Sequence, residues 1–350
     1  MPDVNALSNV SALSSEEQLE DLLSEPYSED VAWARRLEGD VLVLGAGGKM
    51  GPSLTGRIVR ATEQAGSETT VYAVSRFSDE QKRERLEALG AETVAADLLD
   101  ESALAALPTC RNVIYMVGMK FGATGREPLT WAMNAYLPGR VAERFSSSRI
   151  VAFSTGNVYP MVRPETGGPT ETDPVGPVGE YAQSCLGRER VLEHFSKQNG
   201  TPMCLLRLNY AVEARYGVLL DIARTVQSGE PVSLEMGYVN VIWQGDANSV
   251  CFRALGLCES PADVLNVTGP ETLSVRALAE GFAERLGREA RFEGKEGERA
   301  LLNDASRCHR LFGEPKVGVP QVMDLVARWM EQGGATMGKP TKFETKDGQF

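Results

Sequence analysis

Tyr181 and Cys185 stand four residues apart in "EYAQSCLGRE" (180–189). Four residues make one helical turn, so both side chains fall on one face. A phenol can give or take a proton, and a cation one turn away would draw its pKa down from about 10 toward neutrality. A lysine at position 185 would be that cation. A thiol donates weakly and has no charge with which to stabilise a phenolate. Arg188 and the helix N-terminus would favour a reactive thiolate, but no resolving cysteine or base accompanies it. Buried, inert cysteine is the better reading of Cys185.

A second chemistry-bearing stretch is "DVLVLGAGGKMG" (40–51). Gly45, Gly48 and Gly51 repeat at three-residue spacing, with Gly47 in addition and Lys49 and Met50 in the same turn. Glycines there allow a tight turn and let backbone N–H groups approach a pyrophosphate. A glycine triplet alone is weak, because many turns use glycine. This one follows the apolar run Val41 to Leu44 and opens a helix, the context a dinucleotide site requires. The next strand ends in Ser75 and Arg76, where an acid would accept from a ribose 2′-hydroxyl. Serine and arginine suit a 2′-phosphate instead, so NADP(H) is preferred and NAD(H) remains possible. A surface arginine on a loop is the bland alternative for Arg76.

These residues need a frame. Apolar strand-like runs at 41–44, 70–76, 92–97, 112–118, 149–155 and 203–209 alternate with helical stretches. Such alternation predicts right-handed crossovers and a doubly wound parallel sheet of the α/β class. "PLTWAMNAYLPGRVAERF" reads as one long helix despite its proline. Residues 1–39 read as an N-terminal helical extension, 40–209 as the dinucleotide-binding domain, and 210–335 as a small α/β substrate lobe interleaved with the end of the sheet. Residues 336–350 read as a polar tail lying on the surface.

Composition narrows the partners. The net charge of −12 argues against a nucleic-acid groove, while leaving room for a local positive site that takes a small anion. Cys110, Cys185, Cys204, Cys251, Cys258 and Cys308 lack metal spacing and read as reduced thiols in a cytoplasm. No 18-residue apolar run predicts a membrane span, and the N-terminus does not resemble a signal peptide. His194 and His309 lie in helix-like stretches without an obvious Ser or Asp partner, and read as surface or packing histidines.

From about Asp40 to Gly333 the chain resembles the extended short-chain dehydrogenases/reductases, in the NAD(P)-dependent epimerase/dehydratase family that acts mostly on nucleotide sugars. "GAGGKMG" matches the family's glycine motif. "AAD" ends at Asp97, followed by Leu98, where the family holds an acid near the adenine. "VIYMVGMK" resembles the strand along the cofactor, with Val117, Gly118 and Lys120 nearest it. Asn134 resembles the asparagine of the following helix. "STGNVYP" resembles the family's Ser-(Ser/Thr)-x-x-Val-Tyr-Gly stretch and places the catalytic hydroxyl at Thr155. "RLNYA", "LNVTGPETLSVRALAE" and "DASRCHRLFG" resemble the substrate-facing turn and the C-terminal lobe.

The resemblance implies a Rossmann-type domain in which a Tyr-x-x-x-Lys pair moves the substrate proton while hydride passes to nicotinamide. Here Tyr181 and Thr155 fit and Cys185, in the lysine's place beside the cofactor, does not. Three readings follow. Another cation substitutes, Arg188 or preferably Lys120; the tyrosine works unassisted; or redox chemistry is lost and the chain is a non-catalytic NADP(H)-binding regulator or partner subunit. Asn209, Arg207 and Arg215 are candidate substrate contacts, the arginines equally well structural ion pairs. Glu165, Glu171 and Asp173, in a Pro/Gly-rich loop, read chiefly as solvated. The substrate expected is a sugar or nucleotide sugar, the reaction an epimerisation, dehydration or reduction, and the assembly a homodimer through the helices near 128–145 and 180–198.

Overall fold

A computed structural model of the chain describes residues 13, 15–120, 122, 124–339 and 341–348. Seven strands form one parallel sheet: β1 (Val41–Leu44), β2 (Val71–Ser75), β3 (Glu92–Ala95), β4 (Asn112–Tyr115), β5 (Arg149–Thr155), β6 (Met203–Leu208) and β7 (Asp263–Val267). Their order is β7-β6-β5-β4-β1-β2-β3, each neighbour parallel. The chain therefore leaves β1 in one direction and returns to its other side at β4. That reversal opens a crevice at the carboxyl ends of the strands, where doubly wound sheets bind ligands.

β1 is wholly buried because helices cover both faces of the sheet. Val41 and Val43 face one layer, with Leu54 and Ile58 of the helix Gly51–Ala65. Leu42 and Leu44 face the other, with Leu137, Val141 and Leu192. A separate core fills the lobe after β6 and recruits Leu19 and Leu23 from the N-terminal extension. β7, from the stretch read as a lobe interleaved with the end of the sheet, pairs with β6 as the edge of the main sheet, from Asp263↔Cys204 to Val267↔Leu208.

The extension comprises the helices Glu16–Ser24 and Ser28–Ala34, both packed on the helix Gly51–Ala65. Asp30 reaches the Arg57 guanidinium at 2.7 Å, and both side chains are almost fully buried. Removing one partner of such a pair leaves an uncompensated buried charge. The expected surface tail is partly buried: Phe343 joins the lobe core, and Thr341 donates through its N–H and hydroxyl to Asp221 at 2.7 and 2.6 Å. Phe343 supplies the apolar surface that a polar reading of the segment passes over.

The expected long helix is broken in three: Glu127–Trp131, a π turn over Ala132–Tyr136, and Leu137–Arg144. Pro138 has no N–H to offer the carbonyl four residues back, at Asn134. Arg188 Nε donates to that carbonyl at 3.2 Å instead.

Candidate active site

The glycine turn follows β1 directly. Gly45 has φ of +100°, a conformation that disfavours any side chain. A Cβ at Gly47 would press on Ser75 Oγ, and one at Gly51 would collide with the Ala46 carbonyl. The turn is thus kept open toward the crevice, with the start of the helix Gly51–Ala65 behind it. Val117, Gly118, Ser75, Arg76, Asp97 and Leu98 line one arm of the crevice with Gly45 and Gly48. Arg76 is exposed at its rim, and Asp97 accepts the Leu99 N–H at 3.0 Å. The turn and this arm fit the phosphates and adenosine of a nicotinamide dinucleotide.

The other arm is a cavity of about 250 Å³. Thr155, Tyr181, Lys120, Asn209, Lys49 and Met50 all line it. Tyr181 comes from the helix Gly179–Asn199 and Thr155 from the end of β5. The Tyr181 hydroxyl lies within hydrogen-bond reach of Thr155 and of the Cys185 thiol. Burial and Cys185 push Tyr181 well above the usual phenol range, which keeps it protonated. Lys120 Nζ lies 5.8 Å from the centroid of the Tyr181 ring. Burial draws the Lys120 ammonium down to about 8.

Thr155 also donates to Asn157 Oδ1 at 3.0 Å, while the neighbouring Ser154 gives its hydroxyl to Glu189 at 2.5 Å. Thr155 is therefore the β5 hydroxyl turned to Tyr181. Cys185 does not line either arm of the crevice. It is buried beside Val158 and Tyr159, behind Tyr181, and burial pushes its thiol up. Asn134 is likewise buried outside the cavity. Its side chain accepts from the Met119 N–H at 2.8 Å and donates to the Met119 carbonyl at 2.9 Å and to Ser184 at 3.0 Å, tying the stretch after β4 to the helix that carries Tyr181. Arg188 is buried in this wall, and its charge pulls the Tyr181 phenol down against the larger upward push of burial. Besides Asn134, it donates to the Phe153 carbonyl at 2.5 Å and sits where Gly118 leaves room.

Two proposed substrate contacts are not in the cavity. Arg207 is buried against Glu189, at 3.0 and 2.7 Å, and donates to Tyr159 Oη at 2.6 Å. Arg215 is buried among Glu213, Glu20 and Glu16. Both guanidiniums are consumed by carboxylates, most of them from distant stretches, which spacing along the chain does not reveal. Glu171 and Asp173 are also committed, to the Asn266 N–H and to Thr170. Lys49 turns away from the dinucleotide arm. Its ammonium donates to the Ala211 carbonyl at 2.8 Å and lies 4.3 Å from the Tyr216 ring centroid. Sequence reasoning missed Asn157, Tyr210, Tyr216 and Thr341 as lining residues. Asn157 sits inside the recognised "STGN" stretch and Tyr210 inside "RLNYA", whereas nothing local marks the other two.

A model of the NAD dependent epimerase/dehydratase family matches residues 41–235. No curated protein matches the chain. Solved structures similar to it include a UDP-glucuronic acid 4-epimerase from Bacillus cereus with UDP-glucuronic acid and NAD, at 15% identity and TM-score 0.69, covering 84% of this chain and 99% of that one. A UDP-glucose 4-epimerase from Thermotoga maritima with UDP-glucose is similar at 17% identity, TM-score 0.70 and the same coverage. One from Thermus thermophilus with NAD is similar at 22% identity and TM-score 0.66, covering 83% and 99%.

Proposed function

The chain belongs to the NAD dependent epimerase/dehydratase family, and from that premise we propose that it performs nicotinamide-dependent epimerisation, dehydration or reduction of a sugar or nucleotide sugar. The observation that carries this reading is the meeting of Thr155, Tyr181 and Lys120 on one cavity wall beside the glycine turn. A nicotinamide bound there would accept and return the hydride. Tyr181 exchanges a proton with the substrate hydroxyl or carbonyl, and Thr155 holds that oxygen. Lys120 supplies from the β4 side the positive charge that position 185 lacks, stabilising the phenolate as the proton leaves. Met50 and Asn209 shape the cavity around the reacting carbon.

NADP(H) is the preferred cofactor in this reading, on the strength of Ser75 and Arg76 at the dinucleotide arm, where no acid ends β2. The similar solved structures named above hold NAD or a UDP-sugar, which supports the class of cofactor and a nucleotide-sugar substrate. Residues 40–209 would hold the dinucleotide and 210–335 the substrate. Trp131 and Tyr136 are exposed on the helices expected to pair in a homodimer. The six free cysteines suit the cytoplasm.

A second reading is a non-catalytic NADP(H)-binding regulator, favoured by the neutral Cys185 and by the upward push on Tyr181. Native mass spectrometry for a copurified dinucleotide, with NADPH and NADH titration, tests the cofactor. Incubation with UDP-glucose or UDP-glucuronic acid then separates the readings. The enzyme gives product and loses it in Tyr181→Phe, whereas the regulator binds dinucleotide and gives no product.

A further inference from the structure

The cavity differs in charge from the molecule around it. The chain carries a net −12, yet among the described residues the cavity is lined by two cations, Lys49 and Lys120, and by no Asp or Glu. The nearest carboxylates are engaged behind the wall. Glu213 pairs with Arg215 at 3.2 Å, and Asp221 accepts twice from Thr341.

Lys49 crosses from the glycine turn to the opposite wall, where one of its three N–H groups meets the Ala211 carbonyl and Tyr216 lies beneath it. That direction separates it from the Ser75 and Arg76 arm, so the dinucleotide is not its evident partner. We infer that the part of the substrate entering this cavity carries an anionic group, a carboxylate or a phosphate, held between Lys49 and Lys120. This rests on the proposed redox reading and specifies its substrate class.

Two ammonium groups share a partly water-excluded space, and each loses hydration there. Burial lowers Lys49 to about 7, with the Lys120 charge contributing, and Lys120 to about 8. An anion between them restores the charged forms through charge-assisted hydrogen bonds. Tyr210, Tyr216 and Asn209 on the same walls leave one face suited to sugar carbons and hydroxyls.

The test is calorimetric titration of the full chain, loaded with NADPH, using three probes: D-glucose, D-glucuronate and D-glucose 6-phosphate. At least one anionic probe binds about tenfold or more tightly than glucose, as one charge-assisted contact would give. Which one does so distinguishes carboxylate from phosphate. Lys49→Met erases the preference and Lys49→Arg keeps it, while NADPH affinity stays within about twofold, an interval well below one such contact. Equal binding of all three probes by the NADPH-loaded wild type would overturn the inference and leave the redox reading standing. So would a Lys49→Met variant that weakens NADPH as much as the anion. Failure of the wild type to bind either NADPH or NADH would overturn both.

Discussion

The Lys120 ammonium lies 5.8 Å from the centroid of the Tyr181 ring, and both residues line the cavity that Cys185 does not reach. One helical turn would fix a cation against the phenol automatically. Here two separate stretches do it: Lys120 follows β4, and Tyr181 rides on the helix Gly179–Asn199. Their mutual placement depends on Asn134, whose side chain bonds both Met119 and Ser184, and on Arg188, which takes the carbonyl that Pro138 cannot reach.

The pH profile carries a sign opposite to the one a lysine-lowered tyrosine would give. Tyr181 is held protonated, so deprotonating it does not open the working range. Lys120, drawn down to about 8, loses its charge as pH rises through that value. Turnover with a UDP-sugar is therefore expected to be level below about pH 8 and to fall above it. A rate that climbs steadily through that value would contradict the role given to Lys120.

On the proposed NADP(H) preference, in which Arg76 pairs with the 2′-phosphate, Arg76→Ala should weaken NADPH by roughly tenfold or more. NADH affinity should change little. Fluorescence titration of the two reduced cofactors reads the difference directly.

Asp30→Ala should destabilise the protein by about 3–5 kcal/mol, the usual effect of leaving half of a buried ion pair. Asp30 also accepts from Ser249 at 2.6 Å and from the Tyr27 N–H at 2.9 Å, so the extension would loosen from the helix beneath it as well. Chemical denaturation followed by circular dichroism measures it. A loss within about 0.5 kcal/mol, the range of ordinary surface changes, would show that the extension is not anchored there.

Gly118→Ala places a Cβ 2.6 Å from Arg188 Nη2, on a guanidinium already pinned by two carbonyls and the Asn134 side chain. Overpacking of this kind costs about 1–3 kcal/mol. Thermal unfolding should show that loss, together with reduced NADPH affinity.

Much of the frame is written locally. Alternation of apolar runs with helices marks six strands, and the glycine turn after β1 announces the crevice. "STGN" and Tyr181 mark one side of the cavity because each motif is contiguous. What stays hidden depends on partners far along the chain. Arg207 and Arg215 look like anion binders until Glu189, Glu213 and Glu20 close on them. The stretch around Pro138 reads as one continuous helix, because nothing local shows the π turn or the Arg188 contact that repairs it. The stretch after Asn209 reads as interleaved with the end of the sheet, but nothing in "VLNVTG" names β6 as the neighbour of β7. Lys49 sits in a phosphate-binding turn by sequence, and only its bond to Ala211 shows it turned into the cavity that Tyr181 lines.

The central claim is that Lys120 replaces a cation absent from position 185, and a charge swap tests it most directly. Turnover of UDP-glucose or UDP-glucuronic acid is measured for the wild type, Lys120→Met, and Lys120→Met with Cys185→Lys. The account predicts a loss of about 10²-fold or more in kcat for Lys120→Met, the scale of assisted proton transfer, with dinucleotide affinity retained and much of the rate restored in the double variant. Wild-type kcat in Lys120→Met would contradict it.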